Sequence, residues 1–331
     1  KSPADAEADR KAPIASRITV PVTRQALSST LTLSGEIQFA EPFPVKLAGN
    51  VGLGEGDTVV LTGDLSNARQ LGEHLRQLAD ACATVGCDAY FVLGNHDYYG
   101  SSVHEVGATA IEACSDRLRW LDFAGPVTLA TAPLVNIRHA AVALVGVGGW
   151  ADARVGNADT PLLMNDFRLI DDLADEMPPG AITQWRNGVD RTALHAKLRA
   201  LADAAAALLR KQIGAAVMSG ASVVVVATHV PPWPCAAMHD GQPSGPDFTP
   251  YFVSTATGDV LVEAAGAHPD VESLVLCGHS HGAGDTFVCP NLRVRTGPAE
   301  YGSPGVAATF NVSVDLDYDS TTSRVLVRDD A

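Results

Sequence analysis

The sequence of 331 residues predicts a mixed α/β fold in which two sheets pack together with helices on their outer faces. Three observations lead there. Four apolar runs each stop abruptly at polar residues: 58–62 at Gly63-Asp64, 89–93 at Gly94-Asn95-His96-Asp97, 222–227 at Thr228-His229, and 273–277 at Gly278-His279-Ser280-His281. Such runs read as buried parallel strands, and ligands in open α/β sheets collect where the strands end. Segments of helical period lie between them, and the last part of the chain alternates as antiparallel strands do. Strand–helix order early and strand–strand order late is the pattern of layered sheets with helices outside.

Taken in order, residues 1–16 are polar and Ala-rich and read as a mobile arm. Residues 17–40 alternate (Ile18, Val20, Val22, then Leu31, Leu33, Ile37, Phe39) and read as an N-terminal β extension, which Pro42 and Pro44 break. From 41 to 331 the chain reads as one domain. It begins with a short apolar segment, 45–53, containing Gly49-Asn50-Val51-Gly52. Residues 67–85 carry Leu71, Leu75, Leu78 and Cys82 at helical spacing, and a second helix is expected near 103–114. Residues 118–129 and 140–149 read as strands, 151–190 as an acidic insertion with a helical centre, and 191–218 as a long Ala/Leu-rich helix. A helix is expected at 260–267, then antiparallel strands at 285–296 and 306–317, with Asp315 and Asp317 on the polar face of a final strand. His74 and His195 fall within helical segments and are expected to be solvated.

A hydrophobic content of 46% and a charged content of 18% belong to a globular protein. The net charge of −15 argues against a non-specific nucleic-acid binder, which needs a basic stripe, and makes duplex nucleic acid a poor partner, while a nuclease stays open because bound divalent cations would make its site locally positive. The acidity itself serves solubility. Six scattered cysteines lack the spacing of a zinc ribbon or redox pair, so a reducing, cytoplasmic setting is expected. No apolar stretch approaches the roughly 20 residues of a membrane helix. The first residue is Lys1 rather than methionine, so the N-terminus is read as incomplete.

In this order the motifs G-D, G-N-H-D, T-H-x-P and G-H-x-H resemble those of the calcineurin-like metallophosphoesterase family, over roughly residues 45–314. The resemblance implies a four-layer α/β/β/α sandwich and metal-dependent hydrolysis of a phosphomonoester or phosphodiester. Two divalent ions about 3.5–4 Å apart bind the attacking oxygen and stabilise phosphoryl charge together. A carboxylate such as Asp64 suits bridging, and neutral imidazoles suit Zn, Fe and Mn. By resemblance, Asp64 bridges, Asn95, His229 and His279 hold the second ion, and His281 belongs to the first. His96 takes the part of general acid with Asp97 orienting it; an imidazole pKa near neutrality suits that work. The expected substrate is a nucleotide or other small phosphate ester.

One motif departs. The family opens with a strand ending in D-x-H, whereas this chain has no histidine before His74. The best-placed substitute puts Asn50 in place of the aspartate and Gly52 in place of the histidine. Three arrangements answer the gap: a rebuilt first site using Asn50 or the nearby Glu55 or Asp57, a single tightly held ion, or a catalytically impaired module that keeps a binding pocket. A hydrolase of non-phosphate esters is a further alternative. Candidate pocket walls are Tyr98-Tyr99-Gly100, the stretch 148–152 with Trp150, Trp233 with its flanking prolines, and 297–304 with Tyr301; Arg154 is a candidate phosphate contact.

Overall fold

The computed structural model describes residues 53–131, 141–185, 188–300, 305–316 and 323–329. The expected arm at 1–16, the β extension at 17–40, Asn50, Gly52 and Tyr301 lie outside the described residues.

A parallel three-stranded sheet contains β1 (Thr58–Thr62), β2 (Asp88–Val92) and β3 (Leu118–Trp120), in that order. A mixed six-stranded sheet is built from β4 (Val127–Thr131), β5 (Ala141–Val147), β6 (Ala221–Thr228), β9 (Glu272–Cys277), β10 (Gly284–Cys289) and β11 (Leu292–Thr296), in the order β10-β11-β9-β6-β5-β4. Its four central strands are parallel, and the two edges are antiparallel to their neighbours. The two-residue strands β7 (Met238–His239) and β8 (Gln242–Pro243) form a small ladder, and β12 (Phe310–Leu316) pairs with β13 (Ser323–Asp329). The segment expected to be the final strand is therefore followed by another.

Side-chain alternation assigns the layers. On β2, Tyr90 and Val92 face β5 and β6 of the other sheet, meeting Val142, Leu144, Val223, Val225 and Ala227. Ala89 and Phe91 face the opposite way, against helices α1 (Ala68–Val85) and α2 (Val103–Ala113). On β6, Val224 and Val226 turn outward to α3 (Thr192–Met218) and α4 (Thr255–Ala267). The layers are thus helix, sheet, sheet, helix, as expected.

Helix α1 follows from its sequence. Leu71, Leu75, Leu78 and Cys82 form its buried stripe. Asn67 caps its start by accepting from Gln70 N, and Gly86 ends it in the left-handed conformation with its N–H on Cys82 O. Each buried leucine contributes about 1.5–3 kcal/mol.

The expected strand at 118–129 is broken. It divides into β3, a helical turn Leu121–Ala124 and β4, because Gly125 takes a positive φ of 71° and Pro126 lacks a ladder donor. Helix α4 begins at Thr255, ahead of the expected 260, since Thr257 and Gly258 conceal its period. Gly258 is required there: a Cβ would meet Pro232 O at 2.6 Å and Trp233 Nε1 at 2.8 Å. His195 is buried, not solvated, with Nε2 3.2 Å from Tyr251 Oη.

Candidate metal centre

Parallel pairing brings the C-terminal ends of β1 and β2 to one edge of the first sheet, and those of β6 and β9 to one edge of the second. The side chains of Asp64, Asn95, His229 and His279 meet there. The turns that carry them are strained: Asp64, His279 and His281 have φ of 56°, 65° and 62°. That left-handed region costs a non-glycine residue on the order of 1 kcal/mol or more and recurs at functional sites. The glycine of G-N-H-D serves close approach. A Cβ on Gly94 would run into the Asp64 carboxylate and lie 2.7 Å from His229 Cε1.

Each imidazole spends one nitrogen on a backbone carbonyl. His229 Nδ1 lies 2.7 Å from Thr62 O, and His279 Nε2 lies 3.0 Å from Tyr251 O. A carbonyl only accepts, so these nitrogens carry the protons. The opposite nitrogens turn inward: His229 Nε2 is 3.1 Å from His279 Nδ1, 3.0 Å from Asn95 Oδ1 and 3.3 Å from Asp64 Oδ1. His279 Nδ1 is also 3.0 Å from Asn95 Oδ1. Burial first, then the neighbouring His229, pushes the His279 pKa down to about 3, so its inward nitrogen carries a lone pair. Burial acts to raise the Asp64 pKa, but the imidazoles of His229, His96 and His279 outweigh it and hold the carboxyl below its usual range.

A cation placed among these inward-facing nitrogens and oxygens would accept the lone pairs they can offer. Donor atoms held by one first-row divalent ion at about 2.0–2.2 Å lie roughly 3.0 Å apart at right angles and roughly 3.4 Å apart at the tetrahedral angle. The separations of 3.0–3.3 Å match that range. A histidine ligand that gives its other N–H to a carbonyl is the usual outer support of a metal site. His229 Nε2, His279 Nδ1 and Asn95 Oδ1, mutually 3.0–3.1 Å apart, therefore fit one divalent ion, while Asp64 Oδ1 approaches only His229 among them.

Asn95 is oriented from behind. Its Nδ2 donates to Asp166 Oδ1 at 2.9 Å and to Tyr99 Oη at 3.2 Å, while Tyr99 Oη donates to Asp166 Oδ1 at 2.6 Å. Asp166 was not singled out by the sequence; it is one acid among several at 166–176. Asp97 is fully buried, and its oxygens accept from Ser66 N at 2.7 Å and Gly94 N at 2.8 Å. It thus clamps the turn after β1 to the turn after β2. Burial, reinforced by Asp64, raises its pKa well above the usual carboxylate range. His96 donates its backbone N–H to Asp64 Oδ1 at 3.0 Å, and its ring stacks on Tyr99 at 4.6 Å.

A cavity of about 450 Å³ opens in front of the cluster, lined by Asn95, His96, His279 and His281 and by Phe248 and Phe252, the ring of Phe252 lying 4.6 Å from that of His279. His239 and Asp240 line it too. The aromatic wall was missed because Phe248 and Phe252 sit near glycines and prolines that suggest only a loop. Of the expected walls, Trp150 packs on Tyr98 at 5.0 Å and Trp233 packs against α4 at Gly258. Arg154 does not line this cavity; it pairs with Asp152 at 3.1 Å and Asp203 at 2.8 Å. Glu55 and Asp57 cannot rebuild the first site. They precede β1, whereas Asp64 follows it, and five strand residues span roughly 16 Å.

The sequence model described as calcineurin-like phosphoesterase matches residues 43–283, which include all four motifs. No curated protein matches the chain. Among solved structures, a dimetal phosphatase from Danio rerio is 13% identical, with TM-score 0.41 over 75% of this chain and 74% of that one. The calcineurin-like phosphoesterase YfkN from Bacillus subtilis is 11% identical, with TM-score 0.35 over 82% and 76%. The sulfate thiohydrolase SoxB from Thermus thermophilus is 15% identical, with TM-score 0.34 over 81% of this chain and 38% of that one. Likenesses this distant fix no residue correspondence. The match over 43–283 spans most of the chain, which belongs to the calcineurin-like phosphoesterase family and is a metal-dependent hydrolase of phosphate esters.

Proposed function

We propose that the substrate is a small phosphomonoester or phosphodiester, a nucleotide being favoured over duplex nucleic acid. One observation carries the reading. His229 Nε2, His279 Nδ1, Asn95 Oδ1 and Asp64 Oδ1 gather within 3.0–3.3 Å contacts while both imidazoles are tied by their other nitrogens to backbone carbonyls. These four would hold one divalent ion, Mn, Fe or Zn by donor type. Asp64, with His281 and Asn50, would hold a second. Ions bound there lower the pKa of attacking water and offset phosphoryl charge.

The remaining steps belong to the chain. His96 borders the cavity and gives its proton to the departing alkoxide. Its stack on Tyr99 fixes the ring plane, and Asp97 fixes the backbone that carries it through Gly94 N and Ser66 N. Phe248 and Phe252 offer faces for a nucleobase or other aromatic leaving group, in a cavity of small-ligand size.

The test is turnover of p-nitrophenyl phosphate, bis(p-nitrophenyl) phosphate and a nucleoside monophosphate with added Mn²⁺. His96→Ala is expected to lower kcat by about 10²–10⁴-fold with unchanged metal content by elemental analysis. A His96→Ala variant as active as its parent removes His96 from this role. A metal-loaded parent inert on all three esters overturns the substrate reading. Departure of the D-x-H motif favours a second reading, a single-ion centre; one equivalent of metal per chain, rather than two, selects it.

A further inference from the structure

The acidic insertion reaches the back of the metal centre, and its reach is specific. Asp166 and Phe167 are buried, at 8% and 2% exposure. Asp166 Oδ1 accepts from Asn95 Nδ2 at 2.9 Å and from Tyr99 Oη at 2.6 Å. Phe167 packs edge-on against Tyr251 at 4.8 Å, and the carbonyl of Tyr251 faces His279 Nε2 at 3.0 Å. Neighbouring residues pin the segment: Gly100 N donates to Leu169 O at 2.6 Å, and Val103 N to Asp172 Oδ2 at 2.8 Å.

From this arrangement, and resting on the metal reading above, we infer that Asp166 is a positioning residue for Asn95. A side-chain amide has two nearly isosteric orientations, one presenting oxygen to the centre and the other presenting NH₂. An NH₂ turned inward would offer a cation no lone pair. Asp166 Oδ1 already accepts from the Tyr99 hydroxyl and has no proton of its own to give, so it requires the Asn95 nitrogen on its own side and delivers the Asn95 Oδ1 to His229 and His279. Tyr99 holds Asp166 in register by donating to the same oxygen and receiving the amide's second N–H. The insertion is thereby the outer support of the ion site.

The experiment is Mn²⁺ titration calorimetry on the metal-free full chain, beside thermal melting of the same metal-free protein. Asp166→Ala is expected to raise the Mn²⁺ Kd by roughly 10–100-fold, the range that outer supports of metal ligands command. Tyr99→Phe, which keeps the carboxylate, is expected to raise it only a few-fold. A purely structural role would lower the metal-free melting temperature and leave the Kd of Asp166→Ala within two-fold of the parent, and that result overturns the inference. If Asp166→Ala does not fold, Asp166→Asn substitutes for it. Its own NH₂ tolerates either orientation of Asn95, so a several-fold rise in Kd is expected, and an unchanged Kd overturns the inference. A parent chain that binds no Mn²⁺ overturns the metal reading and this inference together. A parent that binds, with variants that bind equally, overturns this inference alone.

Discussion

The two ends of β1 and β2 use the same residue types for opposite purposes. At the N-terminal end the acids remain near water. Asp57 accepts the exposed N–H of Gly54, and Asp88 pairs with Arg117 at 2.9 Å with both side chains about half exposed. Positive φ there falls to glycines, Gly56 at 85° and Gly86 at 82°. At the C-terminal end the acids are withdrawn from water and satisfied by protein groups: Asp97 by two backbone amides, Asp166 by an amide and a phenol. Positive φ there is taken by Gly63 at 93° but also by Asp64, and by His279 and His281 after the adjoining β9, whose side chains glycine could not supply. Burial without loss of partners, and strain accepted for the sake of a side chain, separate a site from a surface.

The largest break in that contrast is expected from Asp64→Ala. It removes the carboxylate that faces His229 Nε2 and the acceptor for His96 N–H. Mn²⁺ affinity should fall by more than about 100-fold, since even outer supports of metal ligands are worth up to that much. Calorimetric titration checks it, and an affinity equal to the parent's would place the ion elsewhere.

The next effect tests the glycines. Gly94→Ala would drive a methyl into the Asp64 carboxylate and toward His229, costing about 1–3 kcal/mol and weakening Mn²⁺ binding. Gly56→Ala meets no atom within 4 Å, so only its left-handed φ opposes it, at a cost of about 1 kcal/mol with no change in Mn²⁺ binding. Urea unfolding of both variants, with and without Mn²⁺, compares them. Equal losses would mean that close packing beneath the centre is not what distinguishes the two ends.

What the sequence showed and hid divides along the same line. Four apolar runs stopping at polar residues exposed the strand ends, periodicity exposed α1, and Ala/Leu-rich composition exposed α3. Such signals are local. Asp166 carries none: it neighbours Asp171, Asp172, Asp175 and Glu176, and only a tertiary contact to Asn95, 71 positions away, selects it. Phe248 and Phe252 are likewise chosen by the cavity they border. His195 misled because one burying contact, to Tyr251, converts a helix-surface histidine into a core one. Gly125-Pro126 is the sequence mark of the break between β3 and β4, a turn dipeptide set within an otherwise apolar run.

The smallest effect is expected from Arg117→Met, at the N-terminal end. Arg117 pairs with Asp88, where the two side chains are 46% and 40% exposed and water already solvates each charge. Exposed pairs contribute little, and salt screens what remains. The variant should therefore keep the parent's Mn²⁺ affinity and turnover, and any fall in melting temperature should shrink when sodium chloride is raised from tens of millimolar to about 1 M. A loss of Mn²⁺ affinity would show the two ends of β1 and β2 to be coupled through the strands. The division between a solvated end and a functional end would then be false, and Asp88 would have to be counted among the groups that hold the centre in place.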